Sequence, residues 1–435
     1  MSDNPISWRE IVSWMPVASL MLLMPSFLFP LPDIQRWTLT IGIVSWCVDY
    51  IVHRRWIGWH FSSGKWLYLM MILFFVITPL HQLWDIPPTH FYLKHVERRI
   101  PFLVVGIMGL AGFTDKLRVR HIAFAMLVSG IACLVVILAV QHSDGHLAMH
   151  DFLHWFNFTR HWTIASHMKF NLFMNLAVIM GFYTLQEHLP YASKTLIGIA
   201  MTVCVSMVLM SDGRIGIITT LIIVLAQGFN ILHGRHNTIK AMLLLLIVAA
   251  GVVAIVKTNW RFEPEYVKHE PRIILWKYSI GQIRCHPIAG YGLSSLSNEF
   301  VRNAYYDPDV LQYYINSPVI QDLLQDYICV PVADGVSLDF NIIHPHNTFL
   351  EMALEHGIIG LLLLLALCIS AVLIPIPRRA RLCYALTLLS LLLQSMTEPI
   401  NKHFHPLLIC VAILVWDYGT RQDKESFGSQ MAEQC

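Results

Sequence analysis

Long apolar runs separated by short polar breaks dominate the chain. Twelve approach the ~20 residues that cross a bilayer, near residues 11–31, 37–53, 66–84, 100–114, 121–140, 171–186, 191–210, 215–232, 239–256, 357–375, 382–396 and 404–417. The runs are continuous rather than alternating with period two, which argues against a transmembrane β-barrel. They predict helices, the other backbone that satisfies its own hydrogen bonds in lipid. The expected fold is an all-α integral membrane protein. Transmembrane helices 1–9 fill residues 1–256, a large loop fills 257–346, helices 10–12 fill 347–418, and a tail follows over 419–435.

The interval 257–346 interrupts this rhythm and is far longer than an ordinary connection, so it should hold its own structure, mostly short helices, and a function. It ends in His344-Pro345-His346-Asn347-Thr348, just before a run of leucines, Leu361 to Leu365. Thr348 and Glu351 have capping-box spacing, which predicts a helix starting just after His346. Gly357 and Gly360 should loosen that helix before it enters lipid. A titratable imidazole is thereby held at a membrane surface, and His346 is a candidate general base, with His344 as the alternative.

Composition narrows the class. Of 435 residues, 56% are hydrophobic and 13% charged. Soluble proteins carry about 25% charged residues, so a soluble fold is nearly excluded. A net charge of +2, with no long basic run, gives no sign of nucleic acid as a partner. If both termini lie inside, the inner loops hold Arg54, Arg55, Lys65, Lys116, Arg118, Arg120, Lys194, Arg235, Lys240, Arg378, Arg379 and Arg381. With the tails, the inner side then outweighs the short outer loops by roughly two to one in Lys and Arg, the sign of the positive-inside rule. This orientation puts 257–346 outside, in a bacterium the periplasm, and the chain in the inner membrane. The first apolar segment lacks a cleavage site and is expected to be retained. Asp49, late in the second span, is read as snorkelling or pairing with Arg54. Most of the nine cysteines fall in apolar spans; Cys285 and Cys329 share the long loop and could pair in an oxidising compartment.

Three arginines mark the outer side: Arg214 in the turn Ser211-Asp-Gly-Arg214, Arg272 four residues before Trp276, and Arg284. Guanidinium groups bind phosphate oxygens bidentately and stay charged, which suits a lipid-linked pyrophosphate. The chain has no nucleotide-phosphate loop and no Cys-x-x-Cys pair, and its single Asp-x-Asp, Asp307-Pro308-Asp309 in the long loop, is not read as a metal site. His146, His150 and His154 recur at every fourth position, as a metal-binding face or, more simply, an interfacial amphipathic helix. Glu351 and Glu355 are read as serving the helix N-terminus and a polar face. Glu398, with His403 and His405, lies in the last outer loop, where it would line an acceptor path. The spans show no paired charges deep inside and no matching broken helices in two halves, which weighs against a transporter of glycolipid or solutes.

These residues carry a resemblance. His346-Asn347, then nine residues, then Gly357-Ile-Ile-Gly360 resembles the His-Asn-x9-Gly-x-x-Gly signature of bacterial O-antigen ligases. That superfamily also holds O-antigen polymerases and protein O-oligosaccharyltransferases. Ser211 to Arg214 is similar to its Ser-x-x-Arg element. Arg272, Trp276, Pro287, Gly290 and Gly292 are similar to its Arg-x3-Trp…Pro-x-x-Gly-x-Gly stretch. The resemblance covers roughly residues 165–400. It implies a membrane glycosyltransferase that needs no metal, ATP or other cofactor. The implied donor is an undecaprenyl-pyrophosphate-linked glycan and the implied acceptor is lipid A–core oligosaccharide. By the same resemblance Arg214 and Arg272 hold the pyrophosphate and His346 acts on the acceptor hydroxyl. His344, Asn347, Arg284 and Glu398 are weaker candidates.

Overall fold

In the computed structural model, the residues described are 7–29, 32–53, 64–81, 89–143, 167–211, 213–232, 271–292, 331–332, 335–336, 345–398, 400 and 405–421. The apolar runs among them are helices, as a backbone surrounded by hydrocarbon requires. In chain order these are α1 (Trp8–Leu23), α2 (Pro25–Leu28), α3 (Pro32–Val52), α4 (Lys65–Leu80), α5 (Thr89–Ala111), α6 (Val119–Ser143) and α7 (His167–Leu185). Then come α8 (Tyr191–Leu209), α9 (Arg214–Leu232), α10 (Pro271–Cys285), α11 (Thr348–Val372), α12 (Arg381–Ser395) and α13 (His405–Gly419). One two-residue antiparallel ladder, β1 (Pro331–Val332) with β2 (Gly335–Val336), is the sole strand pairing among the described residues.

The chain is an all-helical, multi-pass membrane protein. Six helical stretches are long and apolar enough to cross a membrane: Trp8–Leu28, Val119–Ala139, Met168–Leu185, Tyr191–Leu209, Arg214–Ile231 and Thr348–Val372. The count by length and composition is thus six among the described residues, where the apolar pattern predicts twelve. The difference has physical causes. Helix α4 and the stretch Pro406–Gly419 are apolar but short, and α12 has only 15 residues. Charged residues, Glu97, Arg98 and Arg99, interrupt α5. The ninth expected span, 239–256, lies outside the described residues, as does most of 257–346.

Helix α7 sits centrally, packed on α6, α8, α9 and α12. From Phe170 to Met180 it is buried on every face, the signature of a helix enclosed by others. Helix α13 is similarly enclosed, from Leu407 to Trp416, and packs on α5. Outer helices expose their large apolar side chains instead, among them Ile41 of α3, Phe124 of α6, Leu196 of α8 and Leu362 of α11.

One end of the bundle gathers Lys116, Arg120, Arg379 and Arg421. Lys116 pairs with Glu10 at 3.2 Å, Arg120 with Glu187 at 3.4 Å, and Arg421 with Asp417 at 3.0 Å. Arg379 lies over the Tyr183 ring at 5.5 Å. Asp49, wholly buried, pairs with His53 one helical turn later at 3.0 Å. Its described partner is therefore His53, while the expected Arg54 lies outside the described residues. The opposite end carries the last turn of α4, the first turns of α7, α9 and α11, helix α10, and the turn after α12.

Candidate active site

Helix α11 starts just after His346, as expected, but its cap is not the one the capping-box spacing implies. Asn347, not Thr348, is the N-cap: its Oδ1 accepts from the amides of Phe349 (2.9 Å) and Leu350 (3.1 Å). Asparagine is among the best residues for this role. Thr348 is thereby released for a tertiary contact. Its hydroxyl donates to the Glu398 carbonyl at 2.7 Å and accepts from the Ile400 amide at 2.9 Å. The Asn347 amide donates to the Met396 carbonyl at 3.1 Å. Three hydrogen bonds thus stitch the start of α11 to the turn following α12.

His346, just before the cap, has φ +47°, and no other described non-glycine residue has positive φ. A side chain resists this conformation, at a cost of order 1–3 kcal/mol. The flanking bonds hold it there. On the other side, Trp276 Nε1 donates to the Pro345 carbonyl at 2.8 Å. Arg272 stands one turn before Trp276 on the same face of α10, so the indole bond also aims the guanidinium.

These contacts bring three segments onto one carboxylate. His346 Nδ1 lies 2.9 Å from Glu398 Oε1. Arg272 Nη2 lies 3.6 Å from the same oxygen. The side chains of His346 and Arg272 are 27% and 25% exposed and that of Glu398 only 9%, so the carboxylate forms the floor and the other two face the opening. A carboxylate can only accept. In the neutral ring Nδ1 of His346 therefore carries the proton, which leaves the lone pair on Nε2. This is the arrangement of a base held in one tautomer by a third group.

The two glycine motifs form one joint. At Gly357 the backbone leaves the helix, with φ +60° and ψ −153°. The Ile358 amide donates to the Pro287 carbonyl at 2.8 Å, and the Tyr291 amide to the Leu354 carbonyl at 2.7 Å. The loop after α10 thus completes bonds that α11 gives up at its break. A Cβ on Gly290 would lie 2.5 Å from the Leu354 carbonyl oxygen, and one on Gly357 would strike the Ile288 carbonyl. Both positions need glycine because two main chains meet there.

Arg214 opens α9 at this same end. Asn171 and Asn175 of α7 hold its turn: Ser211 Oγ donates to Asn171 Oδ1 at 2.8 Å, and Asn175 Nδ2 donates to the Gly216 carbonyl at 3.2 Å. Arg272, His346 and Glu398 therefore meet directly, while Arg214 shares their end of the bundle at the start of α9. Arg284 is exposed, twelve residues beyond Arg272, about 18 Å along α10 at 1.5 Å per residue. Cys285 is exposed as well. His344, Cys329, His146, His150, His154 and His403 lie outside the described residues, and of His405 only the backbone is described.

No family model matches this chain, and no curated protein matches it.

Spacing alone missed a buried group beneath the site. Glu351 and Glu355, expected on a polar face, are wholly buried. Arg99 of α5 pairs with Glu355 Oε2. Its Nη1 donates to Thr78 Oγ1 at 2.7 Å and lies 2.8 Å from His356 Nε2. His356 Nδ1 in turn contacts His81 Nδ1, with ring centroids 4.5 Å apart. Arg99 and His356 are each 1% exposed. Paired charges are therefore present inside the bundle, contrary to the expectation from the sequence. The signal available was the doublet Arg98-Arg99 at the edge of an apolar run, which reads equally as a solvated flank.

Proposed function

We propose that this protein is a membrane glycosyltransferase of the O-antigen ligase type. It transfers a glycan from undecaprenyl pyrophosphate to lipid A–core oligosaccharide at the periplasmic face of the bacterial inner membrane. In this reading the chain crosses twelve times, with both termini in the cytoplasm. The end that carries Lys116, Arg120, Arg379 and Arg421 faces inward, as the count of Lys and Arg in the short loops asks, and the His346 end faces out.

The observation that carries the proposal is the shared carboxylate: His346 at 2.9 Å and Arg272 at 3.6 Å from Glu398 Oε1. It supports a base and an anion-binding group side by side, the two functions such a transfer needs. The acceptor hydroxyl gives its proton to His346 Nε2 as its oxygen forms the new bond to C1 of the donor sugar. The bond from C1 to the pyrophosphate oxygen breaks, and undecaprenyl pyrophosphate leaves with the electron pair. Arg272 and Arg214 stabilise the charge that grows on it. Glu398 keeps the imidazole in one tautomer and accompanies the imidazolium as it forms. Displacement from the opposite face inverts the anomeric centre. Pyrophosphate is already a good leaving group, so the proposed reaction consumes no ATP and uses no metal.

A transporter is the reading favoured by a different observation, the ion pair of Arg99 with Glu355 inside the bundle. Both side chains are only 1% exposed, and four of the five guanidinium donors point at protein atoms. That describes an enclosed structural group better than a path. O-antigen polymerase and protein O-oligosaccharyltransferase are the enzyme alternatives, and they differ in acceptor.

Gene deletion followed by complementation separates these. Wild type, His346→Ala and Arg272→Ala are compared for lipopolysaccharide and lipid-linked glycan on gels. A ligase leaves long polymer on the carrier and bare lipid A–core when either variant is used. Single repeats on the core would favour the polymerase, and full activity of His346→Ala would remove the base. Transfer by the purified protein should survive EDTA and omission of ATP; dependence on either would count against the mechanism.

A further inference from the structure

The break at Gly357 separates α11 into a short outer segment, Thr348–His356, and the apolar span that follows. The outer segment carries His346 at its head. Helices shorter than about 12 residues are marginal alone, so tertiary bonds must fix its direction. At the head these come from Met396, Glu398 and Ile400, and at the break from Pro287 and Tyr291. At the foot the partners are Glu355 and His356, and both are held by Arg99.

We propose that Arg99 is a positioning residue for His346, acting through the outer segment of α11. The inference rests on the reading of His346 as the base and adds to it a residue that touches neither substrate. Arginine alone has the donors for this task. Nη1 serves Thr78 and His356, and Nη2 serves Glu355 and reaches Met352 Sδ at 3.9 Å. Lysine offers a point charge without the planar fork. Phe74 faces the guanidinium at 5.8 Å and closes the group from α4.

The donor logic also places the protons of the two imidazoles. Arg99 can only donate, so His356 Nε2 must accept. The His356 proton then sits on Nδ1 and is given to His81 Nδ1, which leaves the His81 proton on Nε2. Both rings are neutral while Arg99 holds them. A proton added to His356 Nε2 would face the guanidinium and release the foot of the segment.

The test uses the full-length protein in detergent or nanodiscs, labelled with nitrogen-15 in histidine and read without any glycan. Wild type should show His356 protonated on Nδ1, His81 on Nε2, and His346 with an ordered Nδ1 proton bonded to Glu398. In Arg99→Lys the His346 Nδ1 proton should broaden or vanish in a folded protein. If Arg99→Lys does not fold, the same signal is read in the double variant Arg99→Leu/Glu355→Leu, which leaves no lone buried charge. An unchanged His346 signal in either folded variant overturns the proposal, and so does a wild-type His356 with its proton on Nε2. If the glycosyltransferase reading holds, Arg99→Lys should lower kcat about tenfold or more, with the donor KM kept within about threefold. The spectra decide on Arg99 whether or not the protein transfers glycan.

Discussion

Glu398→Gln isolates the charge at the centre of the site. The amide is nearly isosteric, and its carbonyl oxygen still accepts from His346 Nδ1, so ring orientation survives. The bonds that the Thr348 hydroxyl donates to the Glu398 carbonyl and accepts from the Ile400 amide use main-chain groups of the turn, so they survive as well. What disappears is the negative charge 2.9 Å from the imidazole. Two full charges at that distance would interact by about 6 kcal/mol at an effective dielectric of ~20. The imidazolium is only partly formed in the transition state, and its side chain is 27% exposed. The range for hydrogen bonds to charged groups, about 1.5–3 kcal/mol, is therefore the better bound. It converts to a fall in kcat of roughly 10- to 150-fold. The assay is single-turnover transfer from purified lipid-linked glycan to lipid A–core, with donor KM measured beside it. A Glu398→Gln protein with kcat near wild type, beside an inactive His346→Ala, would refute the idea that this carboxylate supports the base.

Other outcomes follow from the same geometry. Gly290→Ala places a methyl 2.5 Å from the Leu354 carbonyl at φ +72°, and should lower stability by at least about 1–3 kcal/mol, read as the melting midpoint by size-exclusion fluorescence. Asn347→Ala removes the cap of α11 and the bond to the Met396 carbonyl and should cost at least about 1–2 kcal/mol; Asn347→Asp keeps the cap acceptor but loses the donor to Met396, so it should recover only part of that loss. Arg284→Ala, exposed and far along α10 from Arg272, should leave both transfer and melting unchanged in the same two assays; a defect in transfer would bring it into the site.

The helices were legible because lipid imposes one rule on every apolar run, and each expected segment among the described residues is helical. The head of α11 was legible for a similar local reason, although Asn347 and Thr348 are both good caps and spacing chose the wrong one. Glu398 was harder. It stands 52 residues from His346 in sequence, and its side chain meets that ring only because Thr348 and Asn347 anchor the turn after α12. The pair of Arg99 and Glu355 is 256 residues apart. Each member sits at the edge of an apolar run, where a charge is ordinarily solvated, and only packing of α4, α5 and α11 shows otherwise. The His53 partner of Asp49 was within reach, since a spacing of four on one helix face predicts the contact.

The joint between Pro287–Tyr291 and Leu354–Ile358, together with the stitch to Met396–Ile400, has a consequence for biogenesis. Arg99 emerges from the ribosome first, Arg272 later, and His346 later still. Arg99 meets Thr78 at once but Glu355 and His356 only much later, and Arg272 and His346 meet their carboxylate only with Glu398, after α12 has been laid down. Catalytic competence on this reading needs the chain at least as far as Glu398, and one cut before it would sit in the membrane with its arginines and histidine present but not assembled into a reactive centre.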